Sequence, residues 1–494
     1  MIYKPVVAYT RRHPRKILTT IFLFFGIIYG LISLVNHYLF RTAALDLGLT
    51  NQAMFDFAHL RVNYSTLLPN AGRMNFLASH FTLLPVLFAP LYYLFGSYTL
   101  LLIQIAAILL GGAGIYVYTK CRTQNPVIPL LVLLQFFLMW GIYSALAFDY
   151  HDNVVGAMLL PWLLHYFDRK RWWPAIISFV LLIISKENMA LWGIFISVAL
   201  LVKYYSDKSC RIAAVALALS AVLYFLLVTT ILMPALNTTH HRYAQLFRYN
   251  HLGNSFSAII SYLITHPTIV IKHLFLNTTN IPTFNYIKAE LYALILLSGG
   301  FSLLVRPWYG IMLLPLLGQK LLTHDFMLWG INYQYSIEFA PVLALATFEA
   351  SSPLRAGYQT RYLCLATFLT FISTSFTLDH RKSKWYDKSM AQFYKKRHYT
   401  RHFKVSSVHK ALEIIPPGAP VSALSPLVPH LAFRKYIYEF PRVDNAQFIA
   451  LLLNDNPYPM TEEEYKNKIT GLRQSPNWRI LYDKNSLLIL ERQP

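Results

Sequence analysis

Apolar runs long enough to cross a lipid bilayer recur along the sequence from residue 17 to residue 377 and stop there. A helix needs about 20 predominantly apolar residues to span the hydrocarbon core. Of the 494 residues, 55% are hydrophobic and 13% are charged, whereas roughly a quarter of the residues in a soluble domain are charged. These features predict an α-helical polytopic membrane protein and exclude a chain that folds around one soluble core.

Basic residues divide the apolar runs into about eleven predicted transmembrane helices. Lys4, Arg11, Arg12, Arg15 and Lys16 precede the first run, so the positive-inside rule places the N-terminus in the cytoplasm. The first run is too long for a cleavable signal peptide, and we expect it to remain as an anchor. An odd number of spans leaves the C-terminal tail extracytoplasmic. The predicted spans are residues 17–39, 99–119, 127–148, 154–167, 174–184, 189–202, 212–233, 287–305, 309–322, 336–348 and 362–376.

Three interruptions of the apolar pattern are informative. Residues 61–98 and 255–275 are apolar but contain prolines, and we predict that they form interfacial helices in the outer loops rather than spans. The sequence "SKEN", residues 185–188, separates the fifth and sixth spans. A break at membrane depth is tolerated where it lines a cavity or the protein interior. All three interruptions therefore predict an outward-facing cavity with a rim.

The composition changes after the last apolar run. Residues 379–404 are rich in Lys, Arg and His and are predicted to rest as a basic linker on anionic lipid headgroups. From residue 405, the pattern predicts a helix, three short strands, a helix capped by Thr461 and a hairpin around Lys484 and Asn485. The predicted organisation is a transmembrane domain (1–378), a linker (379–404) and a small extracytoplasmic α/β domain (405–494).

Charge and cysteine usage exclude two further classes. The net charge is +22, but many of the basic residues lie at the ends of apolar runs, as membrane topology requires. We therefore expect a lipid bilayer and no nucleic acid as a partner. Cys121, Cys210 and Cys364 show no paired spacing, so the sequence supports neither a disulfide framework nor a cysteine metal site.

Six motifs occur in order along the chain and carry a family resemblance. They are "LDLGLTNQAMF" (45–55), "SHFTLLPVLFAPLYYLFGSYTLLLIQ" (79–104), "FDYHDNVVGAMLLP" (148–161), "ISKENMALW" (184–192), "NYQYSIEFAPVLALATFEA" (332–350) and "IPPGAPVSALSPLVPHLAFRKYIYEFP" (415–441). Together they resemble the bacterial membrane-protein family catalogued as domain of unknown function 2079. That family is similar in topology to the C-type glycosyltransferases (GT-C), which use polyprenyl-phosphate-linked sugars at the extracytoplasmic face.

The resemblance implies a GT-C-like fold in the bacterial inner membrane, with the catalytic carboxylate in the first outer loop at Asp46. Fold does not by itself determine function. Transfer from a lipid phosphate needs a base for the acceptor's proton and groups that stabilise the departing phosphate. Asp46 fits the role of the base. The alternative interpretation is that Asp46 caps the helix that follows it.

Lys186 and Glu187 form the main candidate for a contact with the donor phosphate. A buried ammonium group needs an anion, and a lipid phosphate fits that need. Alternatively, Glu187 is the anion and the pair only seals the helical bundle. The other candidates for donor or substrate binding share positions in the predicted outer loops: His80, His151, Asp152, Arg73, Arg242, Tyr333, Gln334 and Tyr335.

A divalent cation is a possible cofactor, because Asp149, His151 and Asp152 offer carboxylate and imidazole ligands. The alternative is that these side chains contact lipid headgroups. The ionisable groups inside predicted spans, Glu290, Glu338 and Lys320, are expected to pair across helices.

The function predicted from the sequence is an inverting, extracytoplasmic glycosyltransferase with a polyprenyl-phosphate-linked donor and a glycan, lipid or protein acceptor. Two alternatives stay open. The first is a transporter or lipid-handling protein, although only one broken helix pair, and no matching pair, is present, whereas transporters tend to have two. The second is a non-catalytic GT-C-like scaffold of an envelope complex.

Overall fold

The computed structural model describes residues 12–68, 74–237, 244–279, 281–383 and 386–493. The chain divides into two compact units. The first unit comprises Met1–Ile32, Ile103–Leu232 and Arg242–Gln392, and the second comprises Ser33–Leu102, Met233–His241 and Phe393–Pro494.

The first unit is helical. Its helices, including two that continue into the second unit, are Pro14–Tyr38, Thr99–Lys120, Val127–Phe137, Trp140–Leu146, Asp152–Ala157, Leu160–Asp168, Trp172–Ile184, Glu187–Lys203, Lys208–Leu226, Phe256–Thr265, Pro267–Phe275, Ile287–Ile295, Ser302–Val305, Pro307–Leu321, Phe326–Trp329, Phe339–Ser351, Ala356–Asp379 and Lys388–Ala391. Every predicted span contains one or two of these helices.

Length and composition identify the membrane-crossing candidates among the described residues. Four helical stretches are long and apolar enough to cross a bilayer, and two bent pairs raise that number to six if each pair is one span. The four are Pro14–Tyr38, Leu84–Lys120, Lys208–Leu236 and Ala356–Asp379. The second of these begins at Leu84 rather than at Thr99, so part of the segment 61–98, predicted as interfacial helices, continues into the candidate span.

The other predicted interfacial segment is broken where the sequence placed the break. The helices Phe256–Thr265 and Pro267–Phe275 meet at an angle of 98°, and neither contains a buried residue. Proline lacks the amide hydrogen that would continue the first helix, and it is well tolerated in the first turn of the second. Pro267 therefore separates two short, exposed helices.

Alternating spans end in a shared polar cluster of the first unit. Tyr118, at the end of the second predicted span, donates a hydrogen bond to Glu349, at the end of the tenth. Lys203, at the end of the sixth, forms an ion pair with the same carboxylate, and Arg306, after the eighth, donates to the carbonyl of Glu349 over 3.0 Å. Even-numbered spans thus terminate together, as an up-and-down helical arrangement requires.

A glycine marks the break in the eighth predicted span. Gly299 has a φ of +100° inside the π-helical segment Leu296–Gly300. A Cβ atom at Gly299 would overlap with Oγ1 of Thr347. The Gln135 side-chain amide, which donates to the carbonyl of Ser298 over 3.1 Å, holds the same turn. Only glycine fits this position without strain.

We expect Gly299→Ala to lower the thermal unfolding temperature of the protein in detergent. The left-handed conformation costs an L-residue roughly 1–2 kcal/mol, and the added methyl group must displace Thr347, which costs about 1–3 kcal/mol more. Gly310→Ala is the matched control, since no atom lies within 4 Å of a Cβ at that helical position. The control should be neutral or slightly stabilising; equal melting temperatures for both variants would contradict the prediction.

The second unit combines short helices with a five-stranded sheet. Its helices are Leu49–Ala58, Phe76–Ser79, Leu84–Phe88, Tyr92–Phe95, Met233–Leu236, Val405–Leu412, Val428–Leu431 and Glu462–Gln474. Its strands are β1 (Val421–Ala423), β2 (Ile437–Glu439), β3 (Phe448–Leu452), β4 (Trp478–Lys484) and β5 (Leu487–Arg492), in the order β2-β1-β3-β5-β4. β1 pairs in parallel with β2 and β3, and the remaining pairs are antiparallel.

The secondary structure predicted for the C-terminal region is confirmed. Thr461 caps the helix Glu462–Gln474 in a reciprocal capping box with Glu464, which satisfies two amide groups that the first helical turn leaves without partners. Asn485 and Ser486 take positive φ values between β4 and β5, the conformation that tight hairpin turns need. β3 is buried throughout, as its continuous apolar run indicates.

The α/β region builds its hydrophobic core together with the start of the chain. Phe40, Leu49 and Phe76 pack in one cluster with residues of the sheet such as Val421 and Leu451. The first predicted outer loop therefore contributes to the hydrophobic core of residues 405–494.

Candidate functional site

The stretch that follows the first span begins with a π-helical turn. Ala44–Gly48 forms this turn, and the helix Leu49–Ala58 continues from it. Asp46 lies in the first turn and its side chain is partly exposed. The N-cap residues of the two segments are Ala43 and Gly48, and neither position has a side-chain cap. Asp46 therefore lies in the first turn, where a carboxylate favours the positive end of the helix dipole, and not at either N-cap position.

The neighbouring amides of this stretch anchor it within the second unit. Asn51 donates to the carbonyl of Pro429 over 3.1 Å, and Gln52 donates to Oγ1 of Thr66 over 2.9 Å. Gln52 also donates to the carbonyl of Lys435 over 3.2 Å. A buried amide is stable only when its hydrogen bonds are made. These residues of the first motif thus have a structural role, and they attach it to the C-terminal region.

Asp56, the second carboxylate of the stretch, is also structural. It is 7% exposed and accepts hydrogen bonds from Asn63 over 2.8 Å and from Nε of Arg61 over 3.1 Å. Asp46 is more exposed than Asp56. His80 follows the helix Phe76–Ser79 as its C-cap residue and is partly exposed in the same unit as Asp46. Arg73 and Arg242, with His240 and His241, lie outside the described residues.

A buried glutamine fixes the "DYHDN" loop in the first unit. Gln104, in the middle of the second predicted span, donates to the carbonyl of Asp149 over 2.8 Å and accepts from the amide of His151 over 2.9 Å. Asp149 has a φ of +47°, which the two hydrogen bonds from one side chain stabilise. The sequence places Gln104 inside a span but gives no sign of its partners.

The side chains of the loop connect to each other and to the tenth span. Tyr150 donates to Oδ1 of Asp152 over 2.7 Å, and burial, together with that carboxylate, raises the pKa of Tyr150 well above its usual value. Asn153 donates to Oε1 of Glu338 over 2.9 Å. Glu338 thus has a hydrogen-bond partner on another helix, as the sequence predicted.

The segment that precedes the tenth span is held by a lysine. Lys320 donates to the carbonyls of Gly330 and Tyr335 over 2.8 and 3.1 Å, and to Oγ of Ser336 over 3.0 Å. Tyr333 has a positive φ and packs against Phe148, with 4.3 Å between the ring centroids. Gln334 is 3% exposed. The aromatic ring of Tyr333 therefore lies beside the "DYHDN" loop.

The break at residues 185–188 reaches the same end of the first unit. Lys186 precedes the helix Glu187–Lys203 in extended conformation and is partly exposed, whereas Glu187 is 1% exposed. Asn188 donates to Oε1 of Gln319 over 3.1 Å. The carboxylate of Glu338 interacts electrostatically with both Lys320 and Lys186. Three loops far apart in sequence thus converge, and they bring together Lys186, Glu187, His151, Asp152, Tyr333, Gln334 and Tyr335.

The weak metal candidates, Asp149, His151 and Asp152, lie in this loop. Gln104 holds the backbone of Asp149 and His151, and the Asp152 carboxylate accepts from Tyr150. Within the part of the chain that the structure describes, these three side chains do not form a group of ligand atoms spaced for one ion.

A cavity in the second unit was not evident from the sequence. It has a volume of about 450 Å³, and its lining includes Tyr98, His409, Glu413, His430 and Arg434. Burial lowers the pKa of His430 well below its usual value, and the neighbouring imidazoles of His37 and His409 add to this effect. Neutral histidines are therefore favoured in the wall of this cavity.

The sequence signature of the family described as "Predicted membrane protein (DUF2079)" matches residues 36–489. The chain belongs to this family. The match covers all six motifs and both compact units, so the family's signature is not restricted to the transmembrane helices. A search of curated proteins finds no match to the chain.

Two solved structures of ArnT share the fold. ArnT from Cupriavidus metallidurans bound to undecaprenyl phosphate aligns with a TM-score of 0.51, 10% identity, and coverage of 96% of this chain and 97% of that one. The apo state of the same protein aligns with a TM-score of 0.50, 12% identity, and coverage of 94% and 97%. Arabinofuranosyltransferase AftD from Mycobacteria gives a TM-score of 0.43 at 13% identity, over 97% of this chain and 41% of that one.

The expected fold class is therefore confirmed. The chain is a multi-pass membrane protein with a GT-C-like fold and a small C-terminal sheet. Identities this low establish the fold alone.

Proposed function

We propose that this protein is an inverting glycosyltransferase that takes a sugar from a polyprenyl-phosphate-linked donor at the extracytoplasmic face of the bacterial inner membrane. The observation that carries the proposal is the convergence of the three loops at one end of the first unit. Lysine, carboxylate, amide and aromatic side chains meet there on a GT-C-like scaffold, and the ArnT structure with the same fold has undecaprenyl phosphate bound.

The proposed chemistry assigns one role to each group. Asp46 takes the proton of the acceptor hydroxyl, the role of a general base. Lys186 binds the departing lipid phosphate and stabilises its negative charge. Lys186 is suited to this role because it is partly exposed at the start of the helix Glu187–Lys203.

The remaining candidates are proposed to orient the donor sugar and phosphate. His151, Asp152 and Gln334 offer hydrogen-bonding groups, and Tyr333 and Tyr335 offer ring faces on which a pyranose can stack. His80, Arg73 and Arg242 are proposed as further contacts.

The N-terminus is proposed to be cytoplasmic and the α/β region extracytoplasmic, so that the lipid-linked donor and a glycan, lipid or protein acceptor meet outside the cell.

The proposal is tested by transfer of sugar from lipid-linked donors in proteoliposomes. Purified full-length protein is supplied with a panel of radiolabelled polyprenyl-phosphate sugars and envelope acceptors, and labelled product is separated from the donor. Transfer that depends on the protein supports the proposal. Absence of transfer with every donor, although the protein is folded and inserted, would overturn it.

Lys186→Met is expected to raise the KM for the donor by about 10- to 100-fold, because a hydrogen bond to a charged group contributes about 1.5–3 kcal/mol. Lys186→Arg keeps the charge and should recover part of this loss. Lys170→Met is the control, since Lys170 is exposed and pairs with Asp207 over 2.6 Å in a predicted cytoplasmic loop. An unchanged KM for Lys186→Met would remove this lysine from donor binding.

A further inference from the structure

Three histidines from three separate segments of the first unit meet at one point. His251 follows the short helix Ala244–Tyr249, His273 lies on the helix Pro267–Phe275, and His324 follows the helix Pro307–Leu321. Each offers one ligand nitrogen, and the three nitrogens all lie within 4.8 Å of one another. Among the described residues, no other set of three or more His, Cys, Asp or Glu side chains has this spacing. We propose that His251, His273 and His324 bind a zinc ion.

The ring contacts show that the imidazoles form one cluster. The centroids of His251 and His324 are 3.8 Å apart with their planes at 79°, and His273 lies 5.3 and 5.5 Å from them. Two nitrogens bound to one zinc ion at about 2.0–2.1 Å are roughly 3.3 Å apart. His251 and His324 are exposed, so small side-chain rotations suffice to close the site.

Hydrogen bonding of the rings leaves nitrogens available for a metal. Nε2 of His251 lies 2.9 Å from the carbonyl of Leu322. Donation to that carbonyl places the proton on Nε2 and the lone pair on Nδ1, which is the arrangement typical of zinc-binding histidines. Nδ1 of His273 is buried and has no hydrogen-bond partner among the described residues. A buried polar atom of this kind calls for an explanation, and a bound cation supplies it.

The segment that carries His251 is fixed to the segment that carries His324. Arg248 forms an ion pair with Asp325 over 2.6 Å, and its carbonyl accepts from Oγ1 of Thr323 over 3.2 Å. Tyr249 donates to the carbonyl of Gln319 over 2.8 Å. These bonds flank His324 on both sides and hold the residues just before His251, so two of the three ligands are positioned before any ion binds.

The helix that carries His273 is fixed by a buried lysine. Lys288 donates to the carbonyl of His273 and, over 3.0 Å, to the carbonyl of Leu321. Its ammonium group lies 4.0 Å from the ring centroid of Trp329. The charge of Lys288 is therefore directed at carbonyl oxygens and an aromatic face, both of which stabilise it, and the lysine links the third ligand to the other two.

The ligand set selects the metal. Three imidazoles suit zinc, and a fourth position stays open for water or another ligand. Magnesium and calcium require oxygen ligands, and the nearby carboxylate of Asp325 is paired with Arg248. Zinc binding would hold the exposed helix pair 256–275 against the end of the ninth predicted span, independently of whether the protein transfers sugar.

Direct metal binding tests the proposal. Full-length protein is purified in detergent without a polyhistidine tag, stripped with a chelator and titrated with zinc chloride by calorimetry, and bound metal is counted by mass spectrometry. We expect one zinc ion per chain and no magnesium. His324→Ala and His251→Asn should each weaken zinc binding by at least about 10- to 100-fold. His266→Ala is the control, since His266 stacks on Tyr262 in the same helix pair but lies outside the cluster.

Thermal unfolding provides an independent measurement. Zinc should raise the unfolding temperature of the wild-type protein and of His266→Ala, because a ligand that binds only the folded state stabilises it. The shift should disappear in His324→Ala, whose exposed side chain can be removed without creating a buried cavity. Absence of zinc from the wild-type protein, or equal zinc affinity in His324→Ala and the wild type, would overturn the proposal.

Discussion

Asp46→Asn is expected to reduce sugar transfer by about 10²- to 10⁴-fold, the range typical of removing a general base. Asparagine has nearly the shape of aspartate but cannot accept a proton from the acceptor. Asp46 is partly exposed and does not occupy the N-cap position of the π-helical turn Ala44–Gly48, so the exchange should leave the turn and the following helix in place. The expected result is a folded, membrane-inserted protein that binds the donor with an unchanged affinity and transfers sugar poorly.

The measurement is the rate of transfer from a lipid-linked donor in proteoliposomes, normalised to folded protein. Asp56→Asn is the matched control, because Asp56 lies in the same stretch but is buried against Asn63 and Arg61. That exchange should lower the unfolding temperature and leave the rate per folded molecule close to the wild-type value. Asp46 would have no catalytic role if Asp46→Asn transferred sugar at the wild-type rate.

The alternation of the spans was predictable from charge and periodicity. Basic residues follow every second apolar run, and the side chains at those positions meet in the structure. Arg122 forms an ion pair with Asp168, and the Asp168 carboxylate also accepts from Tyr204 over 2.7 Å. These residues follow the second, fourth and sixth spans. Hydropathy and charge determine where each helix ends. Because successive spans run in opposite directions, every second span then ends on the same side of the membrane.

The convergence of the candidate loops was not predictable from periodicity. Asn153 and Glu338 bond across 185 residues, and Gln104 holds a loop 45 residues away. Contacts between helices that are far apart in sequence depend on the packing angle of each pair, which a hydropathy pattern does not specify. The sequence therefore identified the polar residues in spans but not which loop each of them holds.

The candidate metal ligands also show that the sequence does not specify which distant side chains meet. Asp149, His151 and Asp152 are close in sequence, and for that reason they attracted the metal hypothesis. The three histidines spaced for an ion come from positions 251, 273 and 324, and nothing in their spacing indicates a site. Proximity in the chain is a poor guide to a metal site, because the fold determines which side chains meet.

The roles within the first motif also became clear only from the fold. Asn51 and Gln52 bond to backbone carbonyls of Pro429 and Lys435, more than 370 residues later in the chain. A sequence reading treats these amides as equivalent to Asp46, because all three are polar residues in an apolar setting. Their buried contacts with the C-terminal region distinguish anchoring residues from the partly exposed carboxylate.

Glu349→Gln is expected to destabilise the protein by about 3–5 kcal/mol, the usual cost of leaving one member of a buried ion pair without its partner. The side chains of Glu349 and Lys203 are 12% and 11% exposed, and Lys203 also donates to the hydroxyl of Tyr118 over 3.0 Å. The remaining ammonium group would stay buried among Tyr118, Trp308 and Tyr309 with no anion. Thermal unfolding in detergent measures the loss. Asp483→Asn breaks the exposed pair with Arg473 and should cost about 0–1 kcal/mol.

A double-mutant cycle separates the ion pair from the packing around it. Lys203→Met removes the charge and keeps most of the side-chain volume, so the double variant Lys203→Met with Glu349→Gln contains no unpaired charge. We expect it to unfold at a higher temperature than either single variant, since the penalty of each single exchange comes from the charge that is left behind. Tyr118 can still donate to the new amide oxygen at position 349. Additive losses in the double variant would instead show that the two side chains stabilise the even-numbered span ends through separate contacts.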